Sequence, residues 1–394
     1  WLEDQELVAK KPAIRSSDYE TVLSCPFQYY LSRRLGIVSA LRWSAALSRG
    51  SWFHRRLELF QSSRAGAFEE MSQWLKQSQQ TLSETCKSQG IIGAEKERIL
   101  EQEEKDMLMA LSWFEAMQEF QVPSKGSVID FLNKPWFRIL GSEITAEYNH
   151  PEYGKMLAQF DLLLYHEKQN ALFIVDAKTC TGSTINRLRT CPIEFQTQHY
   201  IHILNWLIKS GAVQEKYDLP EDVRAAGMIH IAFQKPTIEF GMNDRDFEIV
   251  NHELKRGPRK GQIEQRRVYS GEPRYENYRE RCKRWILGTG EFEDQKPARA
   301  TDPPVNFSHT FGVNILDQQN TMAYHGRLQL IRSYANREGT PGNFPMSANH
   351  LKQFGKLSPF APFYLTEVGD WPTILATEGF QQEVRDNVEV YLSA

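Results

Sequence analysis

Residues 160 to 178 read FDLLLYHEKQNALFIVDAK, and this stretch decides the fold. Leu162, Leu163 and Leu164 lie in a first apolar run, and Ala171 to Val175 form a second, partly β-branched one. The polar residues His166 to Asn170 between them suit a hairpin turn. Asp161 is expected to start the first strand and Asp176 to close the second. Side chains alternate along a strand, so Asp176 and Lys178 share a face, and a hairpin can bring Asp161 beside them. Two carboxylates and an ammonium at the edge of an apolar sheet make a hard-cation site next to a water-activating base or charge clamp. Taken alone, D-x-K after an apolar strand is commonly a solvated ion pair, so other parts of the chain must support the chemistry.

The 394 residues are 41% hydrophobic and 25% charged, which fits a soluble globular protein of one large domain or two to three smaller ones. No apolar run approaches the roughly 18 residues of a membrane span, and no secretory pattern is present. Five cysteines, an odd and low number, fit a reducing compartment; the cytoplasm of a bacterial or phage-infected cell is expected. The net charge of -3 does not favour nucleic acid, but residues 251–290 hold 11 Lys/Arg against 5 Asp/Glu. That run is either a solvated face or a phosphate-binding stripe. Arg279 and Lys283 within it are candidate DNA contacts, with Tyr269, Tyr275, Tyr278 and Trp285 interleaved as candidate stacking groups.

Three regions are expected: residues 1–125, helical and carrying His54; residues 126–240, an α/β core; and residues 241–394, a C-terminal extension with the basic stretch. In the first, Ser17-Asp18 offers N-cap chemistry for a helix interrupted by Pro26, a second helix covers Ser51 to Phe60, and the pattern from Phe68 to Gln121 is helical. In the second, two short strands over Trp136 to Leu140 and Ile144 to Tyr148 precede the hairpin. A Thr/Gly/Ser-rich loop to Cys191, a helix opened by Pro192 and a strand over Gly227 to Gln234 follow it. The extension holds a basic helix from Tyr275 to Leu287 and a final helix from about Gln381 to Leu392.

Four features flank the hairpin in order: His54 in GSWFHRRLE, Glu147 at the end of the preceding strand, then Gln196 and Tyr200, which share a helix face at i and i+4. His54 alone reads as a packed histidine, Glu147 as either a surface residue or an extra ligand, and Gln196 with Tyr200 as an ordinary helix face. Their order resembles the PD-(D/E)XK nuclease superfamily, and within it the RecB-like exonuclease branch. The carrying motifs are a helical His (His54), an Asp (Asp161), D/E-x-K (Asp176, Lys178) and Q-x-x-x-Y (Gln196, Tyr200); the opening Ser17 to Phe27 segment, with Cys25-Pro26-Phe27, is similar to that branch too. The resemblance implies a restriction-endonuclease-like core, a mixed central sheet flanked by helices. It also implies Mg²⁺ or Mn²⁺ held by Asp161, Asp176, His54 and the Ala177 backbone carbonyl. Lys178 would orient or deprotonate the attacking water, and Gln196 and Tyr200 would hold the DNA backbone. Phosphodiester hydrolysis builds charge on phosphate oxygens and needs a hydroxide near neutral pH, and a hard cation on two carboxylates meets both needs.

Many members of that branch hold an iron–sulfur cluster on one N-terminal and three C-terminal cysteines. Cys25 matches the first, but the later positions read Leu351, Ser358 and Tyr364 around Phe354-Gly355 and Pro359-Phe360. No four-cysteine set remains, so a cluster-less relative is expected, with aromatic and aliphatic packing in place of the metal. The expected function is a metal-dependent DNA exonuclease or end-processing enzyme of phage or bacterial recombination, repair or defence. No P-loop is present, so any helicase, recombinase or annealing protein would be a separate partner. The alternatives are a catalytically silent DNA- or partner-binding module and an RNA-directed nuclease of the same fold.

Overall fold

In the computed structural model the described residues are 11–39, 45–59, 63–122, 124–235, 238–254, 256, 258, 261–289, 303–338, 340–347, 352–353, 356–357, 360–377, 380–382 and 392–393. The hairpin is the centre of a mixed sheet. Strands β1 (Phe137–His150), β2 (Gly154–His166) and β3 (Ala171–Cys180) run antiparallel to one another. Then β4 (Arg224–Gln234) lies parallel to β3, and a last strand, Val305–Phe311, closes that side antiparallel. The parallel step needs a crossover, and helix α5 (Phe195–Lys209) supplies it. Leu392–Ser393 pairs with the outer edge of β1. At Gly227 (φ 145°) the closing strand comes so near that a Cβ would sit 2.1 Å from the Thr310 carbonyl oxygen, so only glycine fits.

Alternation along the strands feeds two cores. One face sends Leu162, Leu164, Val175, Ala177 and Ile231 against the N-terminal helices α2 (Ala45–Glu58), α3 (Arg64–Ser88) and α4 (Gly93–Glu119) and against α6 (Tyr275–Leu287). The other sends Leu163, Leu172, Ile174 and Met228 against α5 and α7 (Gln318–Ala335). A third, aromatic core joins helix α1 (Asp18–Ser24) and the turns after it to residues 344–374, through Phe27, Tyr30, Phe344, Phe363 and Trp371.

Several sequence expectations shift. Asp161 lies inside β2, not at its start. The two short strands before the hairpin are one long β1, with an irregularity between Ile139 and Gly141. Residues 179–191 contain a helix, Thr184–Thr190, capped by Ser183. The expected final helix is instead strand at both ends, Phe380–Gln382 and Leu392–Ser393, and residues 383–390 lie outside the described residues. An extended Phe380–Gln382 pairs with Ile37–Ser39, and tertiary pairing of this kind overrides weak helical periodicity.

Helix α5 is buried on nearly every side and carries two buried imidazoles. His199 Nε2 donates to the Leu157 carbonyl (3.0 Å), so its Nδ1 accepts from the Tyr324 hydroxyl (2.8 Å). His202 stacks flat on the Tyr324 ring, centroids 4.3 Å apart. Burial pushes His199 down to about 4, despite the Leu157 bond, and pushes His202 down to about 3, helped by His325. As pH falls, the unfolded chain takes up these protons before the folded one does. The two histidines' stabilising contribution is therefore complete above about 6.5 and drains away toward pH 4 and 3, on the order of 3 kcal/mol for His199. A urea titration series is expected to show stability falling below pH 6.5, with His199→Gln flattening that slope; an unchanged slope would contradict the assignment.

Candidate metal and phosphodiester site

The β2–β3 ladder stops at the pair Leu162/Val175. Beyond it the strands diverge, and Asp161 takes the next donor: the Ala177 amide donates to Asp161 Oδ2 at 2.7 Å. Asp161 and Asp176 thereby face a common space at the splayed end of the hairpin. Lys178, one pleat beyond Asp176, places its ammonium 2.8 Å from Asp176 Oδ1. Gln196 on the first turn of α5 donates to the same oxygen at 3.3 Å. Tyr200, one turn on, is buried with its ring edge-on to Phe160 at 5.5 Å.

His54 comes from the opposite face, on α2. That helix is clamped by buried polar groups of α4. Glu103 accepts from Ser48 (2.7 Å) and Trp52 Nε1 (2.9 Å), and Arg49 meets Asp106 at 2.7 Å. The clamp leaves His54 facing the hairpin, with Nδ1 3.2 Å from Asp161 and 3.4 Å from Glu143. Glu143 sits between the pairs Ser142/Leu162 and Ile144/Phe160 and so lies opposite Asp161. Its left-handed φ of 49° costs on the order of 1 kcal/mol, a strain located at the cluster.

Burial alone would lower His54, but Asp161 and Glu143 outweigh it and lift the imidazole to about 10. Burial raises Asp161. Burial also works against Asp176, but Lys178 and then His230 hold it well below the usual carboxylate range. Burial opposes the Lys178 charge, and Asp176 and Asp161 overcome it and raise the ammonium above its ordinary value. Lys178 is therefore a fixed positive charge and donor in this state, not a free base. His54, Glu143 and Asp161 each present a ligand atom, all within 4.8 Å of one another; Asp176, expected as a ligand, is not in this group, and its Oδ1 is held by Lys178 and Gln196. Carboxylate oxygens and one imidazole suit a divalent cation of the Mg²⁺/Mn²⁺ type, and a buried carboxylate raised by burial is a place short of positive charge. The donor set fits a metal. It opens into a cleft of about 660 Å³ that also includes Arg55, Glu58 and Gln159.

Three residues here were not among the sequence candidates. Glu143 replaces Glu147, which the structure places away from the cluster, 2.6 Å from Lys155 and paired across the ladder with Leu157. Gln159 donates to Glu143 at 2.7 Å. His230, the β4 neighbour of Asp176, is buried with Nδ1 3.7 Å from Asp176 Oδ2. Glu143→Gln is expected to weaken divalent-metal binding about 10-fold or more, whereas Glu147→Gln leaves it unchanged; calorimetric Mn²⁺ titration of both variants checks the assignment.

Arg279 and Lys283 also move away from the expected role. Helix α6 packs on α4, where Lys283 meets Glu119 at 2.5 Å and Arg279 lies 4.0 Å from Glu115. Tyr278 and Trp285 are core residues with no face open to bases, and Tyr275 is half-buried with one ring face stacked on Phe240. Lys255 lies outside the described residues. The thiol of Cys25 is 3.1 Å from the Tyr364 hydroxyl in the aromatic core, with Phe27 and Trp371 around it. That donor set does not fit an iron–sulfur cluster. Phe360 packs in the same core, whereas Leu351, Phe354, Gly355, Ser358 and Pro359 lie outside the described residues.

Among the described residues no helix is long and apolar enough to cross a membrane. No curated protein matches the chain. A family model, that of the PD-(D/E)XK nucleases, matches residues 16–295, well over half of the sequence and all of the cluster just described. Together with the mixed sheet, this match shows that the chain belongs to the PD-(D/E)XK nuclease superfamily.

Proposed function

We propose that the chain is a divalent-metal-dependent deoxyribonuclease of the RecB-like branch, acting as an exonuclease or end-processing enzyme. The convergence of Asp161, Asp176 and Lys178 with His54 and Glu143 at the splayed hairpin supports this reading. A bound cation would polarise the phosphate and acidify a water. The protein's own groups do the rest. Lys178 and Gln196 hold one oxygen of Asp176 and His230 faces the other, so the carboxylate keeps one orientation. The Lys178 ammonium, anchored by that carboxylate, is placed to donate to a phosphate oxygen as its charge grows. His54 must release its proton to become a ligand, so metal uptake competes with the imidazolium. Gln196 donates to Asp176, and it and Tyr200 also line the cleft, where a DNA backbone would pass.

An intact acid–lysine set argues against a silent binding module. End-labelled linear and circular DNA, with RNA of the same sequence, incubated with Mg²⁺, Mn²⁺ or EDTA, tests the proposal. Metal-dependent loss of linear DNA with circular DNA spared is expected. Cleavage of RNA alone, or of nothing, would overturn it.

A further inference from the structure

The sheet carries a second concavity, away from the acidic cluster. It lies at the turn end of the hairpin, on the face packed against the N-terminal helices. Asp176 and Lys178 stand toward the other end of β3; Phe173, which lines the concavity, precedes Asp176 by three residues, about 10 Å of strand. No residue lines both this cavity and the cleft. Its volume is about 590 Å³, within the range of roughly 300–1,000 Å³ that small-molecule sites occupy.

Strand alternation builds the floor. Ile229 on β4 pairs with His309 on the closing strand, and Phe307 and Phe311 lie two residues to either side on the same face. Phe137 on β1 forms a wall, edge-on to Phe131 at 5.2 Å, to Phe173 at 5.7 Å and to His166 at 4.8 Å. Phe131, on the short helix Val128–Leu132, stacks on Phe307 with centroids 5.7 Å apart. The cavity opens to solvent beside Phe311, which is 54% exposed, and the exposed Gln169. Rings of this kind ordinarily close on one another in a core; an open slot between them is apolar surface that a ligand would take out of water.

The polar groups of the slot are donors. Lys125 donates to Asn306 Oδ1 (3.0 Å) and to the Phe307 carbonyl, which leaves one of its three ammonium hydrogens over. Burial lowers the Lys125 ammonium, and no carboxylate lies near enough to restore it. Lys168 and Lys134 attend the Trp136 ring, 4.8 and 6.0 Å from its centroid. His166 Nδ1 accepts from the Gln169 amide at 3.2 Å, so the hydrogen of the neutral ring is on Nε2, a further donor. No Asp or Glu lines the cavity. Asp130 and Glu167, on the same elements, are exposed, and none of the three lysines is in an ion pair among the described residues.

We infer that this cavity binds a small planar aromatic anion, its ring between Phe131, Phe137 and Phe173 and its acidic group at Lys125. The flat walls select a ring over an aliphatic chain, and a cation without a carboxylate selects an anion over a neutral or cationic ligand. A nucleoside monophosphate and an aromatic carboxylate share this chemistry. The inference goes beyond the nuclease reading and does not depend on it.

Calorimetric titration in EDTA tests it with deoxyadenosine 5′-monophosphate and indole-3-acetate, with their neutral counterparts deoxyadenosine and indole, and with inorganic phosphate. At least one of the two anions is expected to bind at one site per chain, about 10-fold or more tighter than its neutral counterpart, and phosphate alone to show no binding. Lys125→Met should weaken that anion about 10-fold and leave the neutral counterpart within about twofold. Because Lys125 also holds Asn306 and the Phe307 carbonyl, the exposed Lys168→Met serves as a second variant, expected to weaken the anion about two- to fivefold. Lys178→Ala, in the cleft, should bind it as the wild type does. Binding of deoxyadenylate would assign the cavity to nucleotides, and binding of indole-3-acetate alone to aromatic acids. No binding of either anion, equal affinity for an anion and its neutral counterpart, or an affinity that falls in Lys178→Ala and not in the Lys125 and Lys168 variants would overturn the inference.

Discussion

Lys178→Ala is expected to lower phosphodiester hydrolysis by about 10²- to 10³-fold or more with the fold intact. The side chain lines the cleft at the end of β3, and its removal leaves the buried Asp176 short of a countercharge, so some stability goes with it and urea unfolding is read beside the rate to show that the fold remains. What it removes is the one ammonium within 3 Å of Asp176 among the described residues. Metal affinity separates its role from that of its neighbour. Asp176→Ala should abolish cleavage and weaken Mn²⁺ binding together. Lys178→Ala should abolish cleavage while Mn²⁺ binds as well as before or better, since a competing cation has gone. Single-turnover rates and calorimetry on the two variants decide between the roles. Wild-type rates in either would remove these residues from the site.

The largest effect on stability is expected at Arg281. Asp244 is fully buried, and both of its oxygens are taken up by that guanidinium and by the Gly241 amide. Arg281→Ala leaves a carboxylate in the interior with its countercharge gone, a change that typically costs about 3–5 kcal/mol. Asp244→Leu combined with Arg281→Met should cost much less, because no charge is left unpaired. Urea unfolding of the single and double variants measures the difference. A single variant within about 1 kcal/mol of wild type would show the pair to be relaxed by solvent.

The gathering of Asp161, Asp176, Lys178, Gln196 and Tyr200 at one end of the hairpin was legible because period-two and i, i+4 spacing are local rules that a linear text preserves. Glu143 was not. It falls in the gap between the strands expected over Trp136 to Leu140 and Ile144 to Tyr148, where no face could be assigned to it, and Glu147 was the nearest acid to the expected strand end. His230 stayed hidden because its link to Asp176 is a register between strands more than fifty residues apart. Arg279 and Lys283 looked unbalanced only within a window; their carboxylates, Glu115 and Glu119, come more than 160 positions earlier. The antiparallel pair Asp246–Glu253 and Ile263–Ser270 was missed for another reason: with both faces in solvent it has no strict apolar–polar alternation to show.

Cys25 and Tyr364 touch across 339 positions of chain. The aromatic core around them cannot begin to assemble during synthesis until Phe344 and the residues up to Trp371 have emerged, while the hairpin and α5 can pair as soon as residue 209 is out. Closing so long a loop has an entropic cost that local contacts do not repay. The N-terminal aromatic segment is therefore expected to dock last, and with it the short pairing of Ile14 and Arg15 to Met156 and Leu157 in the sheet. The thiol of Cys25, fully buried beside Tyr364, is open to a thiol reagent only before that closure.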